Sequence, residues 1–320
     1  MEPTPRPELS VVVPLFNEEA NVVALEQRLT AVLTGLNLRW EVVLVNDGSV
    51  DGTAALLDGL CTRDTRYKAL HLTRNFGHQA AVSAGLDHAE GDTVAVLDAD
   101  LQDPPEVLGA MRARWAEGYH VVYGVRRKRK ESWAKRASYW LYYRVLRLSS
   151  SLEIPLDAGD FSLMDRRVVL ALRAMPERNR FVRGIRHWVG FRQVGLPYER
   201  DARHAGEAKY TLRKLVRLAL DGLIAFSDAP LRLAIYLGML FALSSFVLAV
   251  GFVVIKLTLD VEPRGWTSTV ILMLFIGGVQ LLTLGIIGEY ISRIYDEVKR
   301  RPVYLVAQRV NLASPPERDA

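Results

Sequence analysis

Apolar residues in the first hundred positions come in short runs that stop abruptly at polar ones. Leu9-Ser-Val-Val-Val-Pro-Leu15, Trp40-Glu-Val-Val-Leu-Val-Asn46, Tyr67 to Leu72 and Thr93 to Leu97 have the length and composition of buried strands. Between them lie stretches of helical character. One opens at Asn17 or Glu18 and runs to about Leu36, one starts within Ser49-Val-Asp-Gly-Thr53, and one spans Gln79 to Ala89. Strands alternating with helices predict an α/β domain with a mostly parallel sheet and right-handed crossovers. No internal repeat is visible.

A different pattern begins past residue 230. Leu233 to Ile255 and Thr267 to Gly288 carry no charged residue. Each is about 22 residues, a helix of about 33 Å against a bilayer core of about 30 Å. Buried core helices of that length would normally keep a polar face, so two membrane helices fit better. Pro263 and Gly265 mark the short connector as a turn, which makes the pair a hairpin. Arg213, Lys214, Arg217 and Arg232 precede it, and Arg293, Lys299, Arg300 and Arg301 follow it. The positive-inside rule then puts both termini and the large N-terminal part in the cytoplasm. Leu212 to Phe226 mixes apolar and basic residues as an amphipathic helix at the membrane surface would. The expected division is a cytosolic α/β domain over 1–208, interfacial helices over 209–230, two membrane helices over 231–296 and a tail over 297–320, disordered after Pro302.

Composition adds little to this. Of 320 residues half are hydrophobic, the formal charge is +5, and the single cysteine, Cys61, allows no internal disulfide. The first residues lack the apolar core of a signal peptide. His78, His88, His187 and His204 are dispersed without metal-ligand spacing and read as ordinary surface or core residues.

Candidate chemistry clusters at strand ends. The fourth run stops at Asp98-Ala-Asp-Leu-Gln-Asp-Pro-Pro-Glu106, and the prolines forbid its continuation. In open α/β sheets that rim is where ligands bind. Asp98, Asp100 and Gln102 are hard oxygen donors suited to Mg²⁺ or Mn²⁺ bridging a diphosphate; an isolated acidic turn would equally be a solvated loop. Asp47 ends the second run and could accept the imide N–H of a uracil, or simply belong to a capped turn. No phosphate-binding P-loop and no dinucleotide fingerprint occurs, which disfavours ATPases and dinucleotide enzymes. Asp157 and Asp160 flank Gly159, and either could lie near a reacting centre; Asp165 suits a helix cap. The basic stretch from Gly124 to Arg136 precedes an aromatic-rich segment, Ser138 to Arg144. That suits a membrane surface and a lipid phosphate; nucleic acid is the weaker alternative and a solvated loop the bland one. Arg203 and Lys209 lie on a glycine-containing segment able to close over a diphosphate.

Together these motifs resemble a known family. Val11-Val-Val-Pro-Leu-Phe-Asn-Glu-Glu, Val45-Asn-Asp-Gly-Ser, Arg74-Asn-Phe-Gly-His-Gln, the Asp98 segment, Gly159-Asp-Phe and Arg178-Asn-Arg-Phe-Val-Arg-Gly, with the C-terminal hairpin, resemble the family 2 polyprenyl-phosphate glycosyltransferases of GT-A fold. These include undecaprenyl-phosphate glucosyltransferases and dolichol-phosphate mannose synthases. The resemblance spans roughly residues 8 to 306. It implies an inverting, metal-dependent transfer of a hexose, glucose from UDP-glucose first, to a polyprenyl phosphate at the cytoplasmic membrane face. Other donor sugars remain open. By resemblance, Pro14, Phe16, Glu18, Asp47, Asp98 and Lys209 line the nucleotide, and Asp98, Asp100 and Gln102 bind or neighbour Mg²⁺ or Mn²⁺. Asp160, Asp157 and Arg203 are the catalytic candidates, and Arg126, Arg129, Lys135 and Arg136 the lipid-phosphate candidates. The family also implies a homo-oligomer, often a tetramer, and no nucleic-acid partner. Two positions depart from the pattern: Ser162 stands where Arg is frequent, and Ala208 where Ser or Thr is usual. A processive polysaccharide synthase is disfavoured because its Gln-x-x-Arg-Trp tract is missing, and a catalytically dead lipid-binding scaffold because the acids are intact.

Overall fold

The computed structural model describes residues 5–126, 158–175, 177–178, 180–200, 229–259 and 265–312. They divide into two units: an α/β unit, which includes the segment after Arg300, and a helical unit that holds the residues from 229 to 300.

The α/β unit is built on one eight-stranded sheet. Its strands are β1 (Leu9–Leu15), β2 (Trp40–Asn46), β3 (Tyr67–Leu72), β4 (Thr93–Val96), β5 (Val121–Arg126), β6 (Ala158–Asp165), β7 (Gln193–Tyr198) and β8 (Val306–Val310). Their order is β7-β5-β6-β4-β1-β2-β3-β8. β4, β1, β2 and β3 pair parallel, as do β5 and β7, whereas β6 and β8 run antiparallel to their neighbours. The GT-A fold, a Rossmann-like and mostly parallel sheet, is therefore as expected.

Burial on both faces explains the near-continuous apolar runs. Val11, Val13, Val42 and Leu44 face a layer made by α1 (Glu19–Gly35), α2 (Thr53–Arg63) and α4 (Val107–Ala116), with Leu29, Leu57 and Met111 in its core. Val12, Val43, Val45 and Val94 face α3 (His78–His88), α5 (Arg166–Ala174) and α6 (Val182–Trp188), with Val82, Val169 and Ile185 between. Gly85 lets α3 lie directly on β1, since a Cβ there would collide with the Val12 side chain. Asp165 caps α5, accepting from Arg167 N–H at 2.9 Å.

One expectation fails here. The tail after Pro302 is ordered through residue 312. Val306–Val310 forms β8 along β3, in the register Leu70↔Arg309 and His71↔Gln308. Tyr304 Oη donates to Asp87 at 2.8 Å, and Asn311 Nδ2 donates to the carbonyls of Cys61 and Tyr67 at 2.7 and 2.9 Å. The strand covers an otherwise open sheet edge, and β3 supplies the hydrogen bonds that order this short segment.

The helical unit contains α7 (Ala229–Leu259) and α8 (Trp266–Val298), with Phe241 and Phe275 in edge-to-face contact at 5.3 Å. Among the described residues, Phe275–Val298 is long and apolar enough to cross a membrane, 24 residues or about 36 Å. Ala234–Leu248 is a shorter apolar stretch. Phe246, Leu243, Leu281 and Leu284 expose more than half of their surface.

Candidate active site

The antiparallel sense of β6 places its first residues at the edge where β4 ends. Val96 pairs with Ser162, so Asp98, two residues past Val96, and Asp160, two before Ser162, fall at the same rim. Three carboxylates of the acidic turn differ in environment. Asp103 is fully buried; it accepts from Tyr198 Oη and has Arg200 Nε at 3.4 Å and an Arg126 nitrogen at 3.8 Å. Asp103 therefore anchors the turn. Asp100 accepts the backbone N–H of Gln102 at 3.2 Å, an Asx turn helped by Leu101 at φ 57°, and lies 4.0 Å from Arg200. Asp98 has 29% of its side chain exposed and lies 3.8 Å from His78 Nε2. Burial raises its carboxyl to about 6, helped by Asp160, Asp103 and Asp100 and opposed by His78.

Carboxylates gathered at one strand end are groups that a divalent cation would neutralise. Among the described residues no set of three His, Cys, Asp or Glu side chains gathers into a metal site. Two carboxylates that share a metal's coordination with substrate phosphates and water are an arrangement that suits Mg²⁺ or Mn²⁺.

Asp160 is the centre of a second cluster. Arg183, from α6, grips it as a fork, Nε to Oδ1 at 2.8 Å and the terminal nitrogen to Oδ2 at 2.8 Å. His78 Nε2, at the start of α3, lies 3.1 Å from Oδ2. Burial would raise the Asp160 carboxyl, but the Arg183 and His78 partners outweigh it and hold the group far below the usual carboxylate range. Gln79 joins the set, its Oε1 accepting from Val182 N–H at 2.9 Å and so tying α3 to α6. Ser162 Oγ donates to the Asp160 carbonyl at 2.9 Å, so the serine at this departure from the family pattern braces the strand.

Asp47 stands at the end of β2. Its two oxygens accept from the backbone N–H of Phe76 and Gly77 at 2.7 and 2.9 Å. It is buried and fixes the loop between β3 and α3, and that loop delivers His78. Gly48, at φ 67°, is required beside it because a Cβ would strike the Arg74 backbone. A groove of about 680 Å³ opens past the ends of β2 and β3, lined by Phe16, Ser49, His71, Arg74 and Gln308 among others. Of the residues expected at the nucleotide, Phe16 lines it and is 44% exposed. Pro14 is buried within β1, and Glu18 accepts from Asn21 Nδ2 at 2.5 Å. In the wall of the groove, Ser49 N–H donates to Asn46 Oδ1 at 3.0 Å, which turns the Asn46 amide nitrogen toward His71 Nδ1 at 3.0 Å. His71 then presents Nε2–H to Asp58 at 3.1 Å.

The family model for glycosyl transferase family 2 matches residues 10–172, and that for the GtrB C-terminal hairpin matches residues 229–294. The chain belongs to glycosyl transferase family 2. Similar proteins include an uncharacterised glycosyltransferase, YkcC, of Bacillus subtilis (strain 168), 45% identical over 93% of this chain and 92% of its own. Another, sll0501 of Synechocystis sp., is 44% identical over 94% and 95%. The SfII prophage-derived bactoprenol glucosyl transferase of Shigella flexneri is 39% identical over 93% and 97%.

In this family 2 enzyme the tertiary structure unites Asp98, Asp100 and Asp160 at one rim, with the backbone of Gln102 beside them. It places Arg126 nearby, bonded through Nε to Tyr198 Oη at 3.3 Å. Asp157, Arg203, Lys209, Arg129, Lys135, Arg136 and Ala208 lie outside the described residues. The sequence did not single out His78, which was expected to be ordinary, nor Arg183, Arg200 or Tyr198. For His78 the available signal was its place directly after a glycine in Arg74-Asn-Phe-Gly-His-Gln; for Arg183 it was the closing Arg-Gly of Arg178 to Gly184.

Proposed function

We propose that this glycosyltransferase moves a hexosyl group from a nucleotide sugar to a polyprenyl phosphate at a membrane surface, with inversion at the anomeric carbon. UDP-glucose and undecaprenyl phosphate are the expected pair. One observation carries the reading. An acidic turn at the end of β4 and an apolar C-terminal hairpin occur in one chain, within a match to a bactoprenol glucosyl transferase that takes in 93% of it. The first feature suits a nucleotide-sugar donor and the second a lipid acceptor.

In this reading Phe16, Pro14, Glu18 and Asp47 shape the nucleotide site, Asp47 by fixing the loop before α3. Asp98 and Asp100, next to Gln102, hold Mg²⁺ or Mn²⁺, and Arg203 and Lys209 approach the diphosphate. Bound metal would supply electrostatic stabilisation of the leaving diphosphate. The acceptor is a phosphate monoester whose second pKa is about 6, so near pH 7 it is largely a dianion and needs little help from a base. Asp160, held ionised by Arg183 and His78, orients the acceptor side, with Asp157 as its neighbour. Arg126, Arg129, Lys135 and Arg136 attract the lipid phosphate. The enzyme sits in the cell membrane as a multi-pass protein with catalytic unit and both termini cytoplasmic, and assembles as a homo-oligomer, a tetramer by family expectation. Nucleic acid has no part in it.

The test is a panel of radiolabelled nucleotide sugars with undecaprenyl phosphate and the purified protein, in Mg²⁺, Mn²⁺ or EDTA. Label in the lipid phase with one donor and metal present is the expected result. Transfer undiminished in excess EDTA would remove the metal, and no lipid-linked label with any donor would remove the acceptor.

A further inference from the structure

Strand β8 lies beyond both ranges that the family models match, yet it forms part of the groove past the ends of β2 and β3. Two successive residues of it, Ala307 and Gln308, line that groove. Neighbours on a regular strand point to opposite faces, so two of them on one wall need an interruption. The pairing with β3 contains one. His71 pairs with Gln308 and the next residue, Leu72, with Val306, which leaves Ala307 as an extra residue without a partner in the ladder. Packing shows the same bulge. Val310 packs on the α1–α2 side of the sheet, whereas Val306 packs on the α3 side. In an uninterrupted strand these two valines would share a face. Bulges of this kind bend a strand and re-aim its side chains, and they recur beside active sites.

The bulged strand is fastened on both sides of Ala307. Before it, Thr73 N–H donates to the Leu305 carbonyl at 3.0 Å; after it, Asn311 Nδ2 donates to the carbonyls of Cys61 and Tyr67. The wall is therefore held in place. Other polar side chains of the groove are engaged with one another: Asn46 meets Ser49 and His71, and His71 meets Asp58. Gln308, paired with His71, is exposed, and its side chain makes no hydrogen bond among the described residues. A primary amide offers one acceptor and two donors, which matches the mixed C=O and N–H groups along the edge of a nucleobase. Phe16, exposed in the same groove, supplies an apolar surface for a planar ring.

We propose that β8 is a base-reading wall of the donor site: the bulge at Ala307 sets Gln308 in the groove, and its amide hydrogen-bonds the edge of the donor's nucleobase. This rests on the reading of the donor as a nucleotide sugar. Donor affinity then depends on a strand that follows the second apolar helix along the chain and lies outside the segment matched to family 2.

Full-length wild-type protein, Gln308→Ala and Arg309→Ala are compared in nanodiscs. The ligands are whichever of UDP, GDP, ADP and CDP the wild type binds most tightly, and inorganic pyrophosphate as a competitor that lacks a base. Arg309 pairs with Leu70 on the other face of β8 and serves as the control. Loss of one neutral hydrogen bond should weaken nucleotide binding and raise the donor KM about three- to tenfold in Gln308→Ala, with kcat within about twofold. Pyrophosphate binding to Gln308→Ala, and nucleotide binding to Arg309→Ala, should stay within about twofold of wild type. Amide exchange along β3 should match wild type in Gln308→Ala, which reports that β8 is still docked. Unchanged nucleotide affinity in Gln308→Ala would overturn the proposal. An equal loss for pyrophosphate would place the effect on the diphosphate, and an equal loss in Arg309→Ala would remove its link to the groove face; either overturns it. Weaker binding accompanied by faster exchange on β3 would make Gln308 a brace for the strand and overturn it too. If the wild type binds none of the four nucleotides, the donor reading itself fails, a result distinct from normal wild-type binding that Gln308→Ala leaves untouched.

Discussion

Asp160→Asn gives the sharpest test of how the site works. The side chain is 5% exposed and takes two charge-assisted bonds of 2.8 Å from Arg183, with His78 at 3.1 Å. Asparagine keeps the shape but cannot accept a fork with both atoms, and it leaves Arg183 without its counter-charge. Bonds to charged partners contribute about 1.5–3 kcal/mol each, and stranding one member of a buried pair costs about 3–5 kcal/mol. Expressed fully in the transition state, that is a rate loss of roughly 10²- to 5 × 10³-fold. The partners also hold the carboxyl far below the range of a useful base at neutral pH. Initial rates of sugar transfer should therefore show no wild-type limb attributable to Asp160 between about pH 6 and 9, and the Asn variant should be depressed by a constant factor across that window. Return of the variant to wild-type rate at high pH, where every acceptor phosphate is a dianion, would show that Asp160 acts by removing a proton and refute the reasoning.

Other expectations concern the scaffold. Asp165 caps α5 and accepts Trp115 Nε1 at 2.9 Å; burial alone would raise its carboxyl, but Arg167 and Trp115 bring it to about 2 from 3.8. A depressed pKa means stability present above about 3.8 and lost as pH falls toward 2, so Asp165→Ala should cost about 2 kcal/mol at pH 7 and less in acid, measured by denaturant melts at both. An equal loss at both pH values would sink that electrostatic account. Gly85→Ala should lower stability by about 1–3 kcal/mol, because the new methyl meets Val12; an unchanged Tm would mean that α3 can lift from β1 without penalty. Asn311→Ala removes two bonds that fasten the end of β8 and should cost about 1–3 kcal/mol, with faster amide exchange along β3 as its signature. Exchange unchanged on β3 would show that the strand holds without its anchor.

Local regularity made much of this enzyme legible in the chain. Runs such as Leu9–Leu15 and Trp40–Asn46 appear as strands with the expected limits, since a strand buried on both faces must be apolar throughout. The acidic turn was readable because the apolar run of β4 gives way to Asp98 and Asp100, with two prolines following at 104 and 105. β8 was not readable. Val-Ala-Gln-Arg-Val is five residues long without alternation of apolar and polar positions, and it becomes a strand because β3 supplies its hydrogen bonds.

The sequence by itself determined the alternation of strands and helices, the apolar hairpin and the placing of acids at strand ends, all properties of neighbours along the chain. Only the tertiary structure decided what those acids meet. Asp160 finds His78 at 82 residues' separation and Arg183 at 23, through the insertion of antiparallel β6 beside β4 and the packing of α3 against α6. Asp47 turned inward to hold backbone for the same reason: a carboxylate takes the donors that packing brings to it, and periodicity carries no record of them.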